Sequence, residues 1–572
     1  MKQNIQLFQR SSSLWEKFLD LNPQLFREIK GKLKTRNVVI AAAVSVTAQF
    51  FTVMALMSEL PQPDPDNLLK VQYGRYGMGT GYNPAYTKDM LGNWIINWQL
   101  LWLDLFIVLS VIGVFSLLIV GTYMLIADTV KEESRGTLNF IRLTPQSASS
   151  VLLGKILGVP ILLYTAVLLI LPLHLLSGLN AHIPFGSLLA FDAVVLSSCG
   201  LCYSLALLWS LMNFGLSGFK PWLASGVVGS LLLVLTMAIF HNNHLISNTV
   251  WDWIILLNPL VVISYLIEAT YLPLSKIDFI SADRLGELLF YGQALWTKAS
   301  WGMGFILVNF SLWTYWCWSI LKRRFHNPSS TLLSKTQSYW ITAWLSVFAL
   351  GFTLQGGYSS STATDKFIFL QMCLCALGLF LIAALSPHRQ ALQDWARYRH
   401  QKNQHKKALW QELVFGENSP SGVAITINMA IAITYIAPSI FIFLILGDRY
   451  ILWGFILGGF SIVLCSLVAQ LCLNLKTRKR AVWSGISVAS LIIIPPVFLG
   501  FADIAPHDIP ELWLFSFIPT VGTEYAATSA VMLAILGQCM AISLIAFQTT
   551  RVLKQAAKSE TKILFESNKI TS

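Results

Sequence analysis

The feature that most constrains this chain is a succession of apolar runs, each 18 or more residues long, repeated along its length. About 20 helical residues cross the hydrocarbon core of a bilayer, so each run is long enough to be a membrane span. Of the 572 residues, 55% are hydrophobic and 12% are charged, which is about half the charged fraction of a typical soluble protein. The sequence therefore predicts an all-α polytopic membrane protein with about 12 transmembrane helices.

The positive charge of the chain orients these spans. There are 40 Lys and Arg against 28 Asp and Glu, a net charge of +12, and most of the bases fall in segments that alternating spans place on one side. Such a bias marks the cytoplasmic side of a membrane protein. It explains the basic composition better than nucleic-acid binding does, and no nucleic-acid partner is expected. We predict a plasma (inner) membrane protein with both termini cytoplasmic.

Residues 1–37 precede the first span and are rich in bases. The stretch LNPQLFREIKGKLK places apolar side chains at helical spacing, with Lys and Arg largely on the opposite face. This pattern is typical of a helix that lies in the membrane interface beside anionic head groups. We predict an N-terminal interfacial helix whose partners include membrane lipids.

One apolar segment, from Trp251 to Leu272, is long enough to cross but contains Asn258-Pro259. A proline removes a backbone donor, and the residue before it is pushed out of helical geometry. A full crossing would also export the basic run LKRRFHNP, against the positive-inside bias. We therefore predict that this segment is re-entrant or interfacial.

With that segment excluded, residues 38–330 form one six-span unit and residues 331–572 a second. The spans predicted in the first unit are about 38–60, 93–126, 150–178, 187–212, 222–240 and 301–321, and Pro160 and Pro172 are expected to kink the third of them. The spans predicted in the second unit are about 338–355, 366–386, 422–447, 451–474, 482–501 and 524–548. All eight cysteines lie in apolar spans, so no disulfide framework is expected.

The loop ADTVKEESRGTLNFIRLTPQSASSVLLGK, residues 127–155, is far more polar than a simple connection between spans needs to be. Its order of acids, Ser-Arg-Gly-Thr-Leu, Leu-Thr-Pro and Leu-Gly-Lys resembles the permeases of type 2 ABC exporters. The resemblance covers residues 1–330 and fades beyond them. It implies a cytoplasmic coupling helix in this loop, which docks on a separate ABC ATPase subunit present in two copies. The residues that the resemblance assigns to coupling are Glu132, Glu133, Arg135, Gly136, Thr137 and Leu138.

The chain contains no GxxxxGK[ST] phosphate-binding loop, and we predict that it is not an enzyme. The resemblance implies that this chain binds no cofactor and that ATP and Mg²⁺ bind in the partner subunit. No metal site is predicted, because the histidines at 241, 244, 388, 400 and 405 lack acids at ligand spacing.

The second unit also has a large basic loop after its second span, as the first unit has. Within it, four residues stand where the first loop has its acids and Leu-Thr-Pro, and they form a possible second coupling segment: Glu412, Glu417, Ser419 and Pro420. Two interpretations stay open. Either the chain is a degenerate repeat of two permease units, or a second permease copy completes the transporter.

The expected function is thus the transmembrane subunit of an ABC exporter with an unidentified substrate. An ion-coupled secondary transporter and a membrane scaffold without transport also lack ATPase motifs. Ion-coupled transporters often carry ionisable residues at mid-membrane depth. Asp104, His174 and Asp192 lie nearer the predicted outer ends of their helices, and no clear proton relay is apparent in the sequence.

Overall fold

The computed structural model describes residues 22–61, 72–78, 83–212, 218–241, 249–272, 288–354, 360–402, 406–445 and 450–557. Several predicted features fall at least partly outside these ranges: the first 21 residues of the N-terminal segment, His244, part of the basic run near residue 405, and the C-terminal tail. The chain divides into two compact units. The first is made of Met1–Ser247, Asp252–Leu288 and Ala294–Pro328, and the second of Asn248–Trp251, Leu289–Gln293 and Ser329–Ser572.

The first unit begins with a short helix capped by the side chain of Asn22, and longer helices then alternate with shorter ones. Its helices are α1 (Pro23–Lys32), α2 (Thr35–Met57), α3 (Trp98–Phe115), α4 (Gly121–Ser134), α5 (Thr137–Arg142), α6 (Ala148–Gly158), α7 (Ile161–Asn180), α8 (Phe185–Leu211), α9 (Lys220–His241), α10 (Trp251–Ile255), α11 (Val261–Glu268) and α12 (Ala299–His326). A π-helical turn, Ser116–Val120, joins α3 to α4, so the two form one continuous span. Helix α8 packs along α12, and α7 packs against α2 and α3.

The second unit is organised around a buried helix, α18, which packs against four other helices of its unit and a short helical turn. Its helices are α13 (Lys335–Thr353), α14 (Ser360–Leu385), α15 (Arg389–Lys402), α16 (Lys406–Phe415), α17 (Gly422–Ile445), α18 (Tyr450–Leu473), α19 (Arg480–Phe501), α20 (Pro510–Trp513), α21 (Thr520–Thr523) and α22 (Thr528–Ala557). Strands are limited to β1 (Thr87–Lys88), β2 (Trp94–Ile95), β3 (Leu289–Phe290) and β4 (Gln293–Ala294) within the described ranges.

The prediction of an all-α polytopic membrane protein is confirmed. Within the described residues, eleven helices are long and apolar enough to span a membrane. Each overlaps one of the predicted spans. The twelfth predicted span, 338–355, is the 19-residue helix α13, which is less apolar than the others and begins with a capping box formed by Ser334 and Gln337.

The predicted break in the segment from Trp251 to Leu272 is also present. The segment forms two helices, α10 of five residues and α11 of eight residues, and each is too short to cross a bilayer. Between them the buried Asn258 accepts a hydrogen bond from the Leu260 amide and donates one to Thr236 Oγ1, at 3.1 and 3.0 Å. The side chain thus replaces the helical hydrogen bonds that the break removes.

The predicted third span differs from the observed one. We expected a kinked helix over residues 150–178, whereas the chain forms two helices, α6 and α7, separated at Val159-Pro160. Pro160 has no amide hydrogen to continue the α6 ladder, and it precedes α7. Pro172 lies inside α7 as expected. The consequence is that α6 is an independent short helix beside the loop of residues 127–155.

Buried neutral side chains form hydrogen bonds between helices in both units, as expected for apolar spans. Asn309 of α12 accepts from the indole nitrogen of Trp253 of α10, and also from that of Trp313 on its own helix. Asn428 contacts Thr342 and Ser338 of α13, and Gln371 donates to the Gly454 carbonyl. In contrast, the amide of the buried Gln470 has no hydrogen-bond partner among the described residues.

Candidate functional site

The predicted coupling loop folds into a sharp turn followed by the six-residue helix α5. Helix α4 ends at Ser134, and Gly136 then adopts a left-handed backbone conformation with φ +73°. Glycine adopts this conformation without the steric cost that a Cβ would add, and it commonly ends helices. The Thr137 hydroxyl donates to the Glu132 carbonyl at 3.1 Å and secures the turn. Local sequence chemistry therefore fixes where α5 begins.

The six residues predicted to couple fall into two groups. Glu133, Arg135, Gly136 and Thr137 are exposed, whereas Leu138 is buried beneath α5 and Glu132 points toward neighbouring helices. The structure therefore brings only part of the predicted set to one accessible surface.

Two exposed apolar side chains lie beside that surface, and the sequence analysis did not include them among the coupling residues. Phe140 and Leu143 are 74% and 85% exposed. Leu138 and Ile141, on the opposite face of α5, are buried. The sequence does indicate this exposure: the segment TLNFIRL has apolar residues on both faces of a short helix, and only one of those faces can pack against the protein. We call the exposed set Glu133, Arg135, Phe140 and Leu143 the α5 rim.

The far end of α5 is also held in place. The Arg142 guanidinium lies 5.7 Å from the centre of the Phe325 ring of α12 and donates to Asn139 at 3.1 Å. Burial lowers the pKa of Arg142, and the charge of Glu133 partly opposes that shift. Contacts at both ends thus make α5 an anchored helix.

Beneath the loop, six charged side chains form what we call the six-charge cluster: Arg27, Glu28, Lys32, Asp128, Glu132 and Lys155. Lys155 is its centre, because it is only 1% exposed and its Nζ lies 2.9 Å from Asp128 Oδ2 and 2.6 Å from Glu132 Oε2. Three acids balance three bases. A buried ammonium is tolerated when it is paired in this way.

The cluster joins three helices. Arg27 of α1 forms an ion pair with Glu132 of α4, and Lys32 pairs with Glu28 at 2.9 Å. Burial by itself lowers the pKa of Arg27, but its hydrogen bonds and ion pairs with Glu28 and Glu132 outweigh burial and raise that pKa. The N-terminal helix is therefore bound by ion pairs to the loop of residues 127–155.

Close backbone approach attaches α1 to α6 as well. A Cβ added at Gly154 would lie 2.9 Å from Gln24 Cβ, and one added at Gly158 would lie 2.5 Å from Glu28 Cβ. The Asn22 side chain donates to the Ser150 carbonyl at 2.7 Å. The predicted interfacial helix thus packs on the protein through Gln24, Leu25 and Glu28.

The three carboxylates of the cluster lie within 4.8 Å of one another, a separation at which they could share a metal ion. However, the ammonium of Lys155 contacts two of them directly. Lys32 Nζ lies 2.9 Å from a Glu28 oxygen and 3.8 Å from an Asp128 oxygen. The positive charge that these acids require is therefore supplied by side chains.

The second predicted segment has a different geometry. Glu412 accepts hydrogen bonds from Trp395 Nε1 and Arg399 Nη1, both at 2.8 Å. Ser419 contacts the Glu412 and Gly416 carbonyls, and the Pro420 carbonyl accepts from Lys335 at 3.1 Å. Glu417 is exposed. Glu412, Ser419 and Pro420 therefore make contacts within the fold.

Another arrangement that the sequence did not reveal lies in the first unit, between α3, α7 and α8. His174 Nε2 lies 3.0 Å from Ser110 Oγ, and His174 Nδ1 lies 3.9 Å from Asp192 Oδ1. Ser110 Oγ also donates to the Phe106 carbonyl at 2.7 Å. These side chains line a cavity of about 60 Å³, and His174 and Asp192 are its titratable lining residues. They are 18 positions apart, which is why no local motif indicated the pair.

Comparison with known proteins finds no matching family model, no similar curated protein and no similar solved structure.

Proposed function

We propose that this chain is the transmembrane subunit of an ATP-driven exporter of the type 2 ABC kind. It moves an unidentified substrate across the plasma membrane together with a separate ATPase subunit. The observation that carries the proposal is the α5 rim: charged and apolar side chains stand exposed on and beside α5, a short helix whose underside and both ends are held by the fold. A helix of this kind can receive a partner and transmit its motion.

The partner surface implied by the rim is a cleft of mixed character. Arg135 requires carboxylates, Glu133 requires a base, and Phe140 and Leu143 require an apolar pocket. Charge-assisted hydrogen bonds from arginine to carboxylates supply directional contacts, and buried apolar side chains supply much of the binding energy of an interface. In this proposal the loop is cytoplasmic, where an ATPase subunit has access to it.

Force then passes from α5 into the membrane through the six-charge cluster. ATP binding draws two ATPase subunits together, and their movement displaces α5. Glu132 is bound to Lys155 of α6 and to Arg27 of α1, so α4, α6 and α1 move with α5. None of these residues performs covalent chemistry. Their role is to keep the loop and the adjoining span in one rigid piece.

The test is copurification of the tagged chain with its ATPase, followed by vanadate-sensitive transport in vesicles. The double substitution Glu133→Ala with Arg135→Ala removes charge-assisted contacts and should weaken ATPase binding at least about tenfold. The matched control is Asp394→Ala with Arg397→Ala, an exposed acid–base pair on α15 outside both predicted docking segments. Unchanged ATPase affinity in the Glu133 and Arg135 variant, or an equal loss in the control, would contradict the proposal.

The His174–Asp192 pair favours one alternative, an ion-coupled secondary transporter. A histidine beside a carboxylate within a span can bind and release a proton during transport. That alternative requires transport that a protonophore abolishes, that vanadate leaves intact, and that His174→Gln eliminates. The exporter proposal requires the opposite response to vanadate.

A further inference from the structure

The second unit contains a groove of about 750 Å³ that the proposed coupling mechanism does not use. Its walls come from α14, α18 and α19, including Leu379, Ala469 and Val488. The volume falls in the range of about 300–1,000 Å³ that is typical of small-molecule sites.

Polar character is confined to one end of the groove. Its body is lined by aliphatic side chains, whereas Arg389, Arg478 and Arg480 stand at the end where α15 and α19 begin. None of its described lining residues is acidic. Arg389 also lies beside the side-chain amide of Gln393, which carries no charge to compensate it. The groove therefore combines an apolar cleft with a cationic mouth, and the described residues that line it supply no acid to balance that charge.

Helix α19 explains why this groove is open. It packs along α18, but most of its side chains are exposed, including Trp483, Ile486 and Phe498. Only Ser484 and Leu499 are buried along its 22 residues. In a membrane-spanning helix, such a surface lies against lipid. A ligand dissolved in the bilayer can thus reach the groove beside α19.

The chemistry of the groove selects an amphiphile with an anionic head. Arginine binds phosphate oxygens through paired N–H donors, and three arginines at one mouth match a single phosphate-bearing head group. Basic pockets between membrane helices on the cytoplasmic side bind anionic lipid head groups in this manner. The apolar cleft matches an acyl chain. A free phosphate ion would leave that cleft empty.

We propose that this groove is a binding site for one anionic phospholipid, with its phosphate on Arg389, Arg478 and Arg480 and an acyl chain between α14 and α19. The site lies wholly within the second unit. It does not depend on the ATPase partner.

The first arm of the test removes the cationic mouth. Lipid binding to the purified full chain is measured by native mass spectrometry, with dioleoyl phosphatidylglycerol as the anionic probe and dioleoyl phosphatidylcholine as the zwitterionic reference. The double substitution Arg478→Gln with Arg480→Gln should weaken phosphatidylglycerol binding at least tenfold, since each charged hydrogen bond contributes about a factor of ten or more. Lys476→Gln with Lys479→Gln is the matched control, because both lysines are in the same turn but outside the groove lining.

The second arm fills the apolar cleft. Gly485 lines the groove, and a Cβ added there meets nothing within 4 Å, so Gly485→Leu extends into open space. Gly500 of the same helix is equally open but lies outside the lining, and Gly500→Leu is its control. Gly485→Leu should reduce phosphatidylglycerol binding at least tenfold, whereas Gly500→Leu should leave it unchanged. Thermal unfolding confirms that each variant is folded.

The outcomes separate this site from simpler explanations. Selective loss in the arginine pair and in Gly485→Leu supports the proposal. Equal loss in the lysine control shows a general surface charge effect and overturns it, as does unchanged binding in the arginine variant. A third outcome is that millimolar inorganic phosphate competes with phosphatidylglycerol while Gly485→Leu leaves phosphatidylglycerol binding unchanged. That outcome shows a phosphate site without a lipid, and it also overturns the proposal.

Discussion

The two polar loops that follow the second span of each unit occupy corresponding places in the sequence, yet they are built in opposite ways. In the first, Asp128 and Glu132 form ion pairs with neighbouring helices, and the α5 rim remains exposed. In the second, Glu412 is bound to Trp395 and Arg399, and Ser419 closes a turn within the fold. Similar residue types at similar places therefore do not imply the same exposed surface.

A buried lysine lies beside each loop and shows the same contrast. Lys155 is held by two carboxylates. Lys335, which is 2% exposed, donates instead to the Leu413 and Pro420 carbonyls and to the Ser419 hydroxyl, at 2.6, 3.1 and 2.6 Å. Lys155 neutralises acids, whereas Lys335 donates hydrogen bonds to backbone carbonyls at and just beyond the C-terminal end of α16. In the first loop, ion pairs join separate helices. In the second loop, hydrogen bonds to backbone carbonyls stabilise the turn that follows α16.

The largest expected effect is on Lys155. Lys155→Met leaves Asp128 and Glu132 without their central partner, and breaking a buried ion pair in this way costs about 3–5 kcal/mol. We expect a severe loss of folded protein, measured by size-exclusion yield and thermal unfolding in detergent. Adding Asp128→Asn and Glu132→Gln should restore much of it. If the triple variant is as unstable as the single one, charge pairing is not what holds this loop.

The next effect concerns the pH dependence of Lys335. Burial lowers the pKa of Lys335 to about 8, from an ordinary value near 10.5. Between these values the unfolded chain binds a proton at this site that the fold does not. Stability should therefore rise with pH from about 8 to 10.5, by on the order of 3 kcal/mol for this group.

The measurement compares thermal unfolding of the wild type and Lys335→Met across that range. Other lysines, tyrosines and cysteines titrate in both proteins, so the difference between the two curves isolates Lys335. Parallel curves would show that Lys335 has the same pKa in the folded and unfolded states.

A smaller effect tests which loop receives a partner. Phe140→Ser with Leu143→Ser should weaken ATPase binding about tenfold, or about 1.4 kcal/mol, because it removes the apolar part of the rim. The corresponding change in the second loop is Trp410→Ser with Phe415→Ser, at side chains that are 64% and 56% exposed. Loss only in the first pair indicates one docking loop per chain. Equal loss in both indicates two.

The mass of the purified complex sharpens that result. One chain with two ATPase subunits would support the repeat interpretation, in which both loops dock. Two chains with two ATPase subunits would refute it, since each chain would then supply one docking loop.

The sequence predicted the fold well because spans are a property of long, continuous segments. It also located the break at Asn258-Pro259, where proline chemistry acts on neighbouring residues. It did not predict which loop side chains are accessible, because that depends on distant partners: Lys155 for Glu132, and Arg399 for Glu412. The His174–Asp192 pair and the groove beside α19 arise from helix packing in the same way.

The π-helical turn between α3 and α4 changes the directions in which the side chains after the turn point from the helix axis. Each residue of an α-helix advances about 100° around the axis, and a π turn holds one residue more than an α turn does. The Leu117 carbonyl in this turn accepts from Tyr203 Oη at 2.8 Å, which fixes the extra residue in place. Everything that follows, including Glu132 and the start of α5, is therefore rotated about the helix axis by about one residue relative to α3. The direction in which Glu132 points from the helix axis is thus set 12 or more residues before it, by one additional residue inside the membrane helix.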